Sequence, residues 1–198
     1  MRKITVLEFI TLDGVMQAPG GPEENPSAEF EFGGWQAPYD DPVVDKVTSP
    51  ALQANVEFLL GRKTFEIWSG YWPKHGDIWP FINDNMKYVL SSEKSDTDWQ
   101  NTTFIRNVDD IKKLKDSDGP DLHVWGSSQL VQLLLANDLV DELCLMTYPI
   151  ILGQGKKLFA NGAAPRAFSL TENHVGKTGV IVARYERAGE VKTGTVGE

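Results

Sequence analysis

Short apolar segments of strand type alternate with helical patterns along most of the chain. Strands are predicted over residues 3–9, 58–60, 86–90, 102–105, 122–125 and 143–148. Helices are predicted over residues 43–47, 51–57, 64–68, 108–115 and 129–136. The alternation, followed by a closing hairpin of residues 167–175 and 179–185, predicts an α/β fold with a mixed, mostly parallel central sheet. Helices are expected on both faces of the sheet, and the C-terminal hairpin is antiparallel.

Three segments qualify this pattern. Residues 17–42 form a long loop rich in proline and glycine. The aromatic residues of this loop favour a structure in which it folds over other groups. Ser49 and Pro50 are typical of an N-cap and a first helical position, which predicts that the helices at 43–47 and 51–57 are separate. The segment from residue 188 is small and polar. We therefore expect one domain over residues 1–187 and a flexible tail over 188–198.

The charge balance excludes several classes of function. The 198 residues include 19 basic and 28 acidic side chains, a net charge of −9, whereas nucleic acids and anionic membranes need a basic face. The single cysteine, Cys144, excludes a disulfide framework and a thiolate-rich zinc site, and the three histidines show no ligand spacing. The first apolar run carries a charge, which is typical of a strand and not of a signal peptide. We expect a cytoplasmic protein without a bound metal.

Two strand-to-helix junctions combine small residues with polar ones, and at such places backbone N–H groups can hold a phosphate. They consist of Gly61, Arg62, Lys63 and Thr64, and of Gly126, Ser127, Ser128, Gln129 and Leu130. Neither matches the G-x-G-x-x-G fingerprint or a Walker loop, and each alone is also consistent with a plain turn. Two such junctions, spaced for neighbouring strands, favour a nucleotide that bridges them.

Five segments, in this order, resemble a known family. They are residues 11–16 (TLDGVM), 60–66 (LGRKTFE), 88–92 (YVLSS), 124–130 (VWGSSQL), and 139–143 (LVDEL) running into 149–159 (PIILGQGKKLF). The chain resembles the dihydrofolate reductase-like fold, in the branch related to the C-terminal reductase domain of bifunctional riboflavin-biosynthesis deaminase-reductases. The resemblance spans residues 4–159, which is most of the chain.

The resemblance implies NADPH as the cofactor. Residues 62–64 would hold phosphate groups, Ser91 and Ser92 would flank the adenosine end, and residues 126–130 would lie under the pyrophosphate and ribose. The segment 13–17 would begin a loop against the nicotinamide. The implied cofactor-binding residues are Met16, Gln17, Gly61, Arg62, Lys63, Thr64, Leu90, Ser91, Ser92, Gly126, Ser127, Ser128, Gln129 and Leu130.

One departure from the family bears on the choice of nucleotide. Dihydrofolate reductases often have consecutive glycines where this chain has residues 126–128, and a basic residue near the position of Gln129. Without that cation, a preference for NADPH rests mainly on Arg62, Lys63 and Ser92, and NADH stays an alternative.

Three aspartates are candidates for a catalytic group that holds a substrate ring and helps to protonate it. Asp45 lies 16 residues before Gly61, a spacing similar to that in dihydrofolate reductases, and Asp41 lies nearby. Asp13 directly follows the first strand. Each has a structural alternative, since Asp41 and Asp45 suit helix caps or solvated acids and Asp13 suits a turn. We interpret Glu8, inside the first strand, as a charged edge or face position.

The expected activity is reduction of a small pterin- or pyrimidine-like substrate by NAD(P)H. Riboflavin-pathway reductases act on a phosphoribosylamino-pyrimidine, and that step is one option. The partner deaminase needs a zinc signature with two cysteines, which this chain lacks. The rival interpretations are a non-catalytic ligand-binding protein and a structural component. The apolar region 143–152 favours a homodimer in either case.

Overall fold

One mixed sheet organises the computed structural model, which describes residues 1–52, 55–93, 96–159 and 163–197. Within these ranges it has eight strands: β1 (Ile4–Thr11), β2 (Glu57–Gly61), β3 (Lys87–Leu90), β4 (Thr102–Ile105), β5 (Leu122–Trp125), β6 (Glu142–Tyr148), β7 (Ala167–Val175) and β8 (Ile181–Gly189). Their order across the sheet is β4-β3-β2-β5-β1-β6-β8-β7. β1 to β6 pair in parallel, while β8 is antiparallel to β6 and β7. The predicted sheet and closing hairpin are confirmed.

Within the described residues, four α-helices cover the sheet: α1 (Pro42–Ala51), α2 (Arg62–Tyr71), α3 (Val108–Asp116) and α4 (Ser128–Ala136). The caps follow from the sequence. Asn107 accepts hydrogen bonds from the first amides of α3, and Asp41 caps α1 ahead of Pro42 at its first position. None of these helices is long and apolar enough to cross a membrane.

The predicted break at Ser49 and Pro50 is wrong. α1 continues through Pro50 to Ala51, and Glu57, the predicted end of a second helix, is the first residue of β2. The stronger start signal lies earlier, at Asp41, and the helix then buries Val44 and Val47 against the sheet. This packing outweighs the local preference of proline for a helix start. Residues 53 and 54 lie outside the described residues.

Each face of the sheet carries its own core. The face under α1 and α2 is aromatic and includes Phe58, Phe65, Trp79, Trp125 and Tyr148. The face under α3 and α4 is aliphatic and includes Ile4, Val6, Ile111, Leu130 and Leu134. Because both faces are covered, the central parallel strands have near-continuous apolar sequences. Helices on both faces are therefore confirmed.

The structure also bears on the long loop, the single cysteine and the predicted C-terminal tail. Phe30 and Trp35 of the long loop are buried, and Trp35 packs edge-on against Tyr148. Cys144 is a buried core residue whose thiol pKa is raised to about 11 by burial, which does not suit a nucleophile. β8 runs through Gly189, so the residues 188 and 189 assigned to a tail belong to the strand.

Candidate nucleotide site

The two strand-to-helix junctions lie side by side at the carboxyl edge of the sheet. β2 and β5 are neighbours, yet the helices that follow them leave to opposite faces. Phe65 of α2 packs into the aromatic core, and Leu130 of α4 packs into the aliphatic core. Such a divergence of adjacent connections opens a crevice at the strand ends, where open α/β sheets bind ligands.

Direct hydrogen bonds join the two junctions. The Gly61 N–H donates to Ser127 Oγ (2.9 Å), and the Ser127 hydroxyl donates to Thr64 Oγ1 (2.6 Å). A Cβ on Gly61 would lie 2.7 Å from Ser127 Oγ, and a Cβ on Gly126 would lie 2.9 Å from Thr64 Oγ1. Gly126 also has φ +64°, in the left-handed region. The close approach of the junctions therefore depends on glycine at both positions.

The starts of both helices offer backbone N–H groups to a ligand. In the described part of the chain, the N-cap residues Gly61 of α2 and Ser127 of α4 make no side-chain bond to the first turn. The first-turn amides of a helix have no intrahelical acceptor, and the helix dipole makes this end positive. Two such starts that meet in one crevice can hold a pyrophosphate.

The cationic side chains near the crevice differ in the ion pairs and hydrogen bonds that they form. Arg62 forms ion pairs with Glu66 (2.7 Å) and with Glu93, and these hydrogen bonds raise the pKa of its guanidinium. Lys156 Nζ donates to Ser27 Oγ (2.9 Å), and its pKa is lowered by burial and by the nearby charge of Lys63. The sequence showed no cation cluster here, because 93 positions separate the two lysines.

A cavity of about 550 Å³ lies beside the start of α2. It is lined by Glu24, Asn25, Pro26, Ser27, Lys63, Glu66 and Ile67. The long loop therefore forms one wall of the cavity and α2 forms another. Positive and negative side chains line this space together with the apolar side chains of Pro26 and Ile67.

The remaining cofactor candidates divide into buried and accessible residues. Leu90 ends β3 opposite Gly61, and Ser91 is buried with its hydroxyl donating to the Glu93 carbonyl (3.1 Å). Ser92 and Gln129 are exposed. Ser128 is half-buried at the first position of α4, while Leu130 and Met16 belong to the aliphatic core.

Gln17 holds the long loop to the strand ends. Its side-chain amide donates to the carbonyls of Asn25 and Ser27, both at 2.9 Å, and its side-chain oxygen accepts from the Lys156 N–H (3.0 Å). The Trp35 indole donates to the Gln17 carbonyl (2.8 Å). Gln17 thus positions one wall of the cavity.

The three candidate aspartates occupy different settings. Asp13 accepts from the Thr11 hydroxyl (2.6 Å) and from the N–H groups of Leu152 and Gly153 (3.2 and 3.0 Å). These bonds support the turn-forming alternative for Asp13. Asp45 is exposed on α1, which is consistent with a solvated acid.

Asp41 joins α1 to the turn of the C-terminal hairpin. It accepts from the N–H groups of Val43 and Thr178, both at 3.0 Å, and these bonds lower the pKa of its carboxyl. A Cβ on Gly176 would lie 2.7 Å from the Asp41 carboxyl, so the turn packs directly on it. This geometry supports the capping alternative.

Glu8 lies near the same edge of the sheet, and its burial could not be recognised from the sequence. The interpretation as a charged edge position is wrong, because β1 lies between β5 and β6. Glu8 does lie on a face of the sheet, but it is only 4% exposed there. Burial raises the pKa of the Glu8 carboxyl well above its usual value, the nearby Glu24 adds to this, and the Gly126 N–H opposes it by donating to the carboxyl. Within the described chain, Oε1 has no hydrogen-bond partner.

The wild-type protein should lose stability at high pH because of Glu8, and replacing Glu8 with glutamine should abolish this loss. The folded protein keeps this proton at pH values where the unfolded chain has lost it, so the free energy of unfolding falls as pH rises from the usual carboxyl pKa of 4.5 towards the raised one. Glu8→Gln mimics the protonated acid and does not titrate. In urea titrations from about pH 5 to 9, we expect its stability relative to wild type to increase by at most about 1.4 kcal/mol per pH unit. A stability difference independent of pH would contradict a raised pKa of the Glu8 carboxyl.

The chain is similar in sequence to a known family and to two bacterial proteins. Residues 2–182 match the model of the RibD C-terminal domain family. In Bacillus subtilis, protein YyaP is 30% identical over 134 residues (64% of this chain, 71% of YyaP), and protein YwjB is 26% identical over 160 residues (80% and 83%).

Two solved structures share the fold. One is from Shewanella sp. PV-4, with a name that assigns it to riboflavin biosynthesis (TM-score 0.71, 20% identity, 93% of this chain and 98% of that one). The other is dihydrofolate reductase from Enterococcus faecalis complexed with NADP(H) and RAB-propyl (TM-score 0.63, 17% identity, 94% and 96%). The resemblance found in the sequence is thus confirmed, and the chain belongs to the RibD C-terminal domain family, with a dihydrofolate reductase-like fold.

Proposed function

We propose that this protein is an NADPH-dependent reductase of a small pterin- or pyrimidine-like molecule. The observation that carries the proposal is the meeting of two uncapped helix starts in one crevice, joined by the Gly61–Ser127–Thr64 hydrogen bonds. A crevice at this position in an α/β sheet suits a dinucleotide.

The residues at the crevice fit NADPH. The N-cap residues of α2 and α4 leave the first-turn amides without a capping side chain, so these amides would hold a pyrophosphate, and Lys63 adds a positive charge at the start of α2. Residues 90–92 at the end of β3 would bound the adenosine end, and Arg62 would exchange its carboxylate partners for a 2′-phosphate. NADH requires no such exchange and remains the competing nucleotide. When bound, either nucleotide supplies a hydride.

Two features support the substrate class. Phe9 and Trp125 stand 5.9 Å apart, measured between ring centroids, at the aromatic side of the strand ends, where a flat ring can pack. Lys63 and Lys156 provide cations for a phosphorylated substrate beside the cavity, although Glu24 and Glu66 face the same space. Together with the family match, these features support the pyrimidine reduction of riboflavin biosynthesis as one specific option.

Thermal unfolding with and without nucleotide tests the binding step. NADPH at 100 times its dissociation constant should add about 2.7 kcal/mol, which raises the midpoint by roughly 5–10 °C for a chain of this size. NADH at the same concentration should give a smaller shift, and inorganic pyrophosphate serves as the control for anion binding alone. No shift with either nucleotide would contradict the proposal.

A second candidate function is nucleotide binding without catalysis. It is favoured by the candidate aspartates, since Asp13 and Asp41 accept structural hydrogen bonds and Asp45 is exposed. Oxidation of NADPH in the presence of dihydropterins or aminopyrimidines, followed by its absorbance, separates the two functions. Turnover supports the reductase, whereas tight binding without turnover on any of these substrates favours the binding protein.

A further inference from the structure

The C-terminal hairpin has one mainly polar side and one mainly apolar side. Residues paired across β7 and β8 point to the same side of the sheet, so the register assigns each of them. The α1 side carries Ser169, Glu172, His174, Val182, Arg184 and Glu186. The α4 side, called the hairpin face below, carries Phe168, Leu170, Asn173, Val175, Ile181, Ala183, Tyr185 and Arg187.

The apolar side of the hairpin is the one left open. α1 packs against β8 from the polar side, where Arg184 also pairs with Glu142 and with Glu172 (3.5 Å). Three large side chains of the hairpin face are exposed, by 52, 70 and 43%: Leu170, Val175 and Ile181. An antiparallel sheet with one solvated side normally turns its polar residues to that side. The reversal indicates a cover that the described residues do not supply.

The shape of the hairpin favours a contact through its face. Two strands of nine residues make a face roughly 30 Å long and 10 Å wide, or about 300 Å². Apolar patches of this size on a single protein are often functional. The outer strand β7 has irregular pairing between Ala167 and Phe168 and between Leu170 and Glu172. Such bulges oppose the addition of another strand at this edge, which leaves the face as the contact surface.

The charges around the hairpin face favour a second copy of this chain as its cover. Arg187 is paired with Asp138 (2.9 Å) and Asp141 (3.6 Å), and Asp138 is also paired with Arg166 (3.1 Å). Anionic lipid or an acidic partner would need free cations here, and a basic partner would need free acids. With a net charge of −9, two copies repel each other in general, but not across a face without net charge.

We propose that two copies of this protein associate through their hairpin faces about a two-fold axis. In such a contact the same patch serves both copies. The proposal is independent of the proposed function. Much of the region 143–152, where the sequence predicted a homodimer contact, is instead core of the single chain, since Leu143, Met146 and Tyr148 are buried. Because the face is smaller than the roughly 800 Å² that each partner buries in a standard interface, we expect a reversible dimer with a micromolar Kd.

Sedimentation equilibrium between about 1 and 100 µM tests this association, and the wild-type protein should change from monomer to dimer over that range. Leu170→Glu places a charge on the hairpin face, where it is solvated in the monomer and buried without a partner in the dimer. We expect the variant to raise the Kd by at least about a hundredfold. Ile78→Glu is the matched control, because Ile78 is 60% exposed but lies outside the hairpin, and it should leave the Kd unchanged.

A second variant on the same face keeps the test decisive if Leu170→Glu fails to fold. Val175→Glu changes the most exposed apolar side chain of the face, and it should give a folded monomer by circular dichroism and sedimentation. A wild-type protein that stays monomeric at about 100 µM would overturn the second copy as the cover, whether or not the protein binds lipid vesicles or another protein. A dimer that persists in the folded hairpin variants, or that Ile78→Glu weakens equally, would overturn the hairpin face as the contact.

Discussion

Replacing Gly126 with alanine should destabilise the fold and sharply weaken nucleotide binding. At φ +64° an alanine is strained by about 1–2 kcal/mol. Its Cβ would also lie 2.9 Å from Thr64 Oγ1 and 3.2 Å from Thr64 Cγ2, so the hydroxyl that bonds Ser127 must move. We expect the free energy of unfolding to fall by about 2–3 kcal/mol and NADPH affinity to fall by at least about tenfold, measured by urea unfolding and calorimetry.

Gly189→Ala is the matched control for this variant. Gly189 also has a positive φ (+95°), but a Cβ there would meet nothing within 4 Å, and the residue ends β8, far across the sheet order from the crevice. It should lose only the backbone contribution, about 1 kcal/mol, and should bind NADPH like the wild type. Equal losses of affinity in the two variants would show that Gly126 has no specific role in the crevice.

Replacing Lys87 with methionine should cause the largest loss of stability of any substitution considered for this protein. Lys87 is fully buried on β3, and its Nζ donates to the carbonyls of Ile82 (2.9 Å), Asn83 (3.3 Å) and Asn85 (2.7 Å). The ammonium also lies 4.6 Å from the centroid of the Trp99 ring. Methionine keeps the apolar stem but leaves the carbonyls without this donor. We expect urea unfolding at pH 7 to show a loss of about 3–4 kcal/mol.

The choice of pH 7 and a control at a surface lysine allow the loss to be assigned to the buried ammonium group of Lys87. Burial lowers the pKa of Lys87 to about 8, so the side chain carries its proton at pH 7. Lys112→Met removes an exposed lysine that pairs with Asp109 at 3.3 Å, and should cost less than about 0.5 kcal/mol. A comparable small loss in Lys87→Met would mean that the three carbonyls find other partners.

Most of the secondary structure follows from local patterns. The strands Thr102–Ile105 and Leu122–Trp125 have the predicted bounds. Leu122–Trp125 is a central strand with a mostly buried sequence, and Thr102–Ile105 is a half-exposed edge strand of β-branched and aromatic residues. Asn107 marks the start of α3 because its short side chain satisfies the first amides of the helix. α1 is the exception, since the burial of Val44 and Val47 carries it through Pro50.

The two junctions are recognisable in the sequence as motifs, and their order along the chain carries the family resemblance. Their contact is a property of the sheet order, which brings Gly61 within a hydrogen bond of Ser127 although 66 positions separate them. The same holds for Lys63 and Lys156, which lie 93 positions apart in the sequence and whose charges interact in the folded protein.

The chain itself, through its apolar periodicity, caps and glycine positions, specifies the α/β class, nearly all the elements and the two junctions, because these depend on neighbours along the sequence. The burial of Glu8 and the roles open to Asp13 and Asp41 depend on partners more than 100 positions away, such as Gly126, Leu152 and Thr178. A charged residue in an alternating strand has the same sequence pattern at an exposed edge and in a central strand. Its chemistry therefore emerges only when the folded sheet determines which groups surround it.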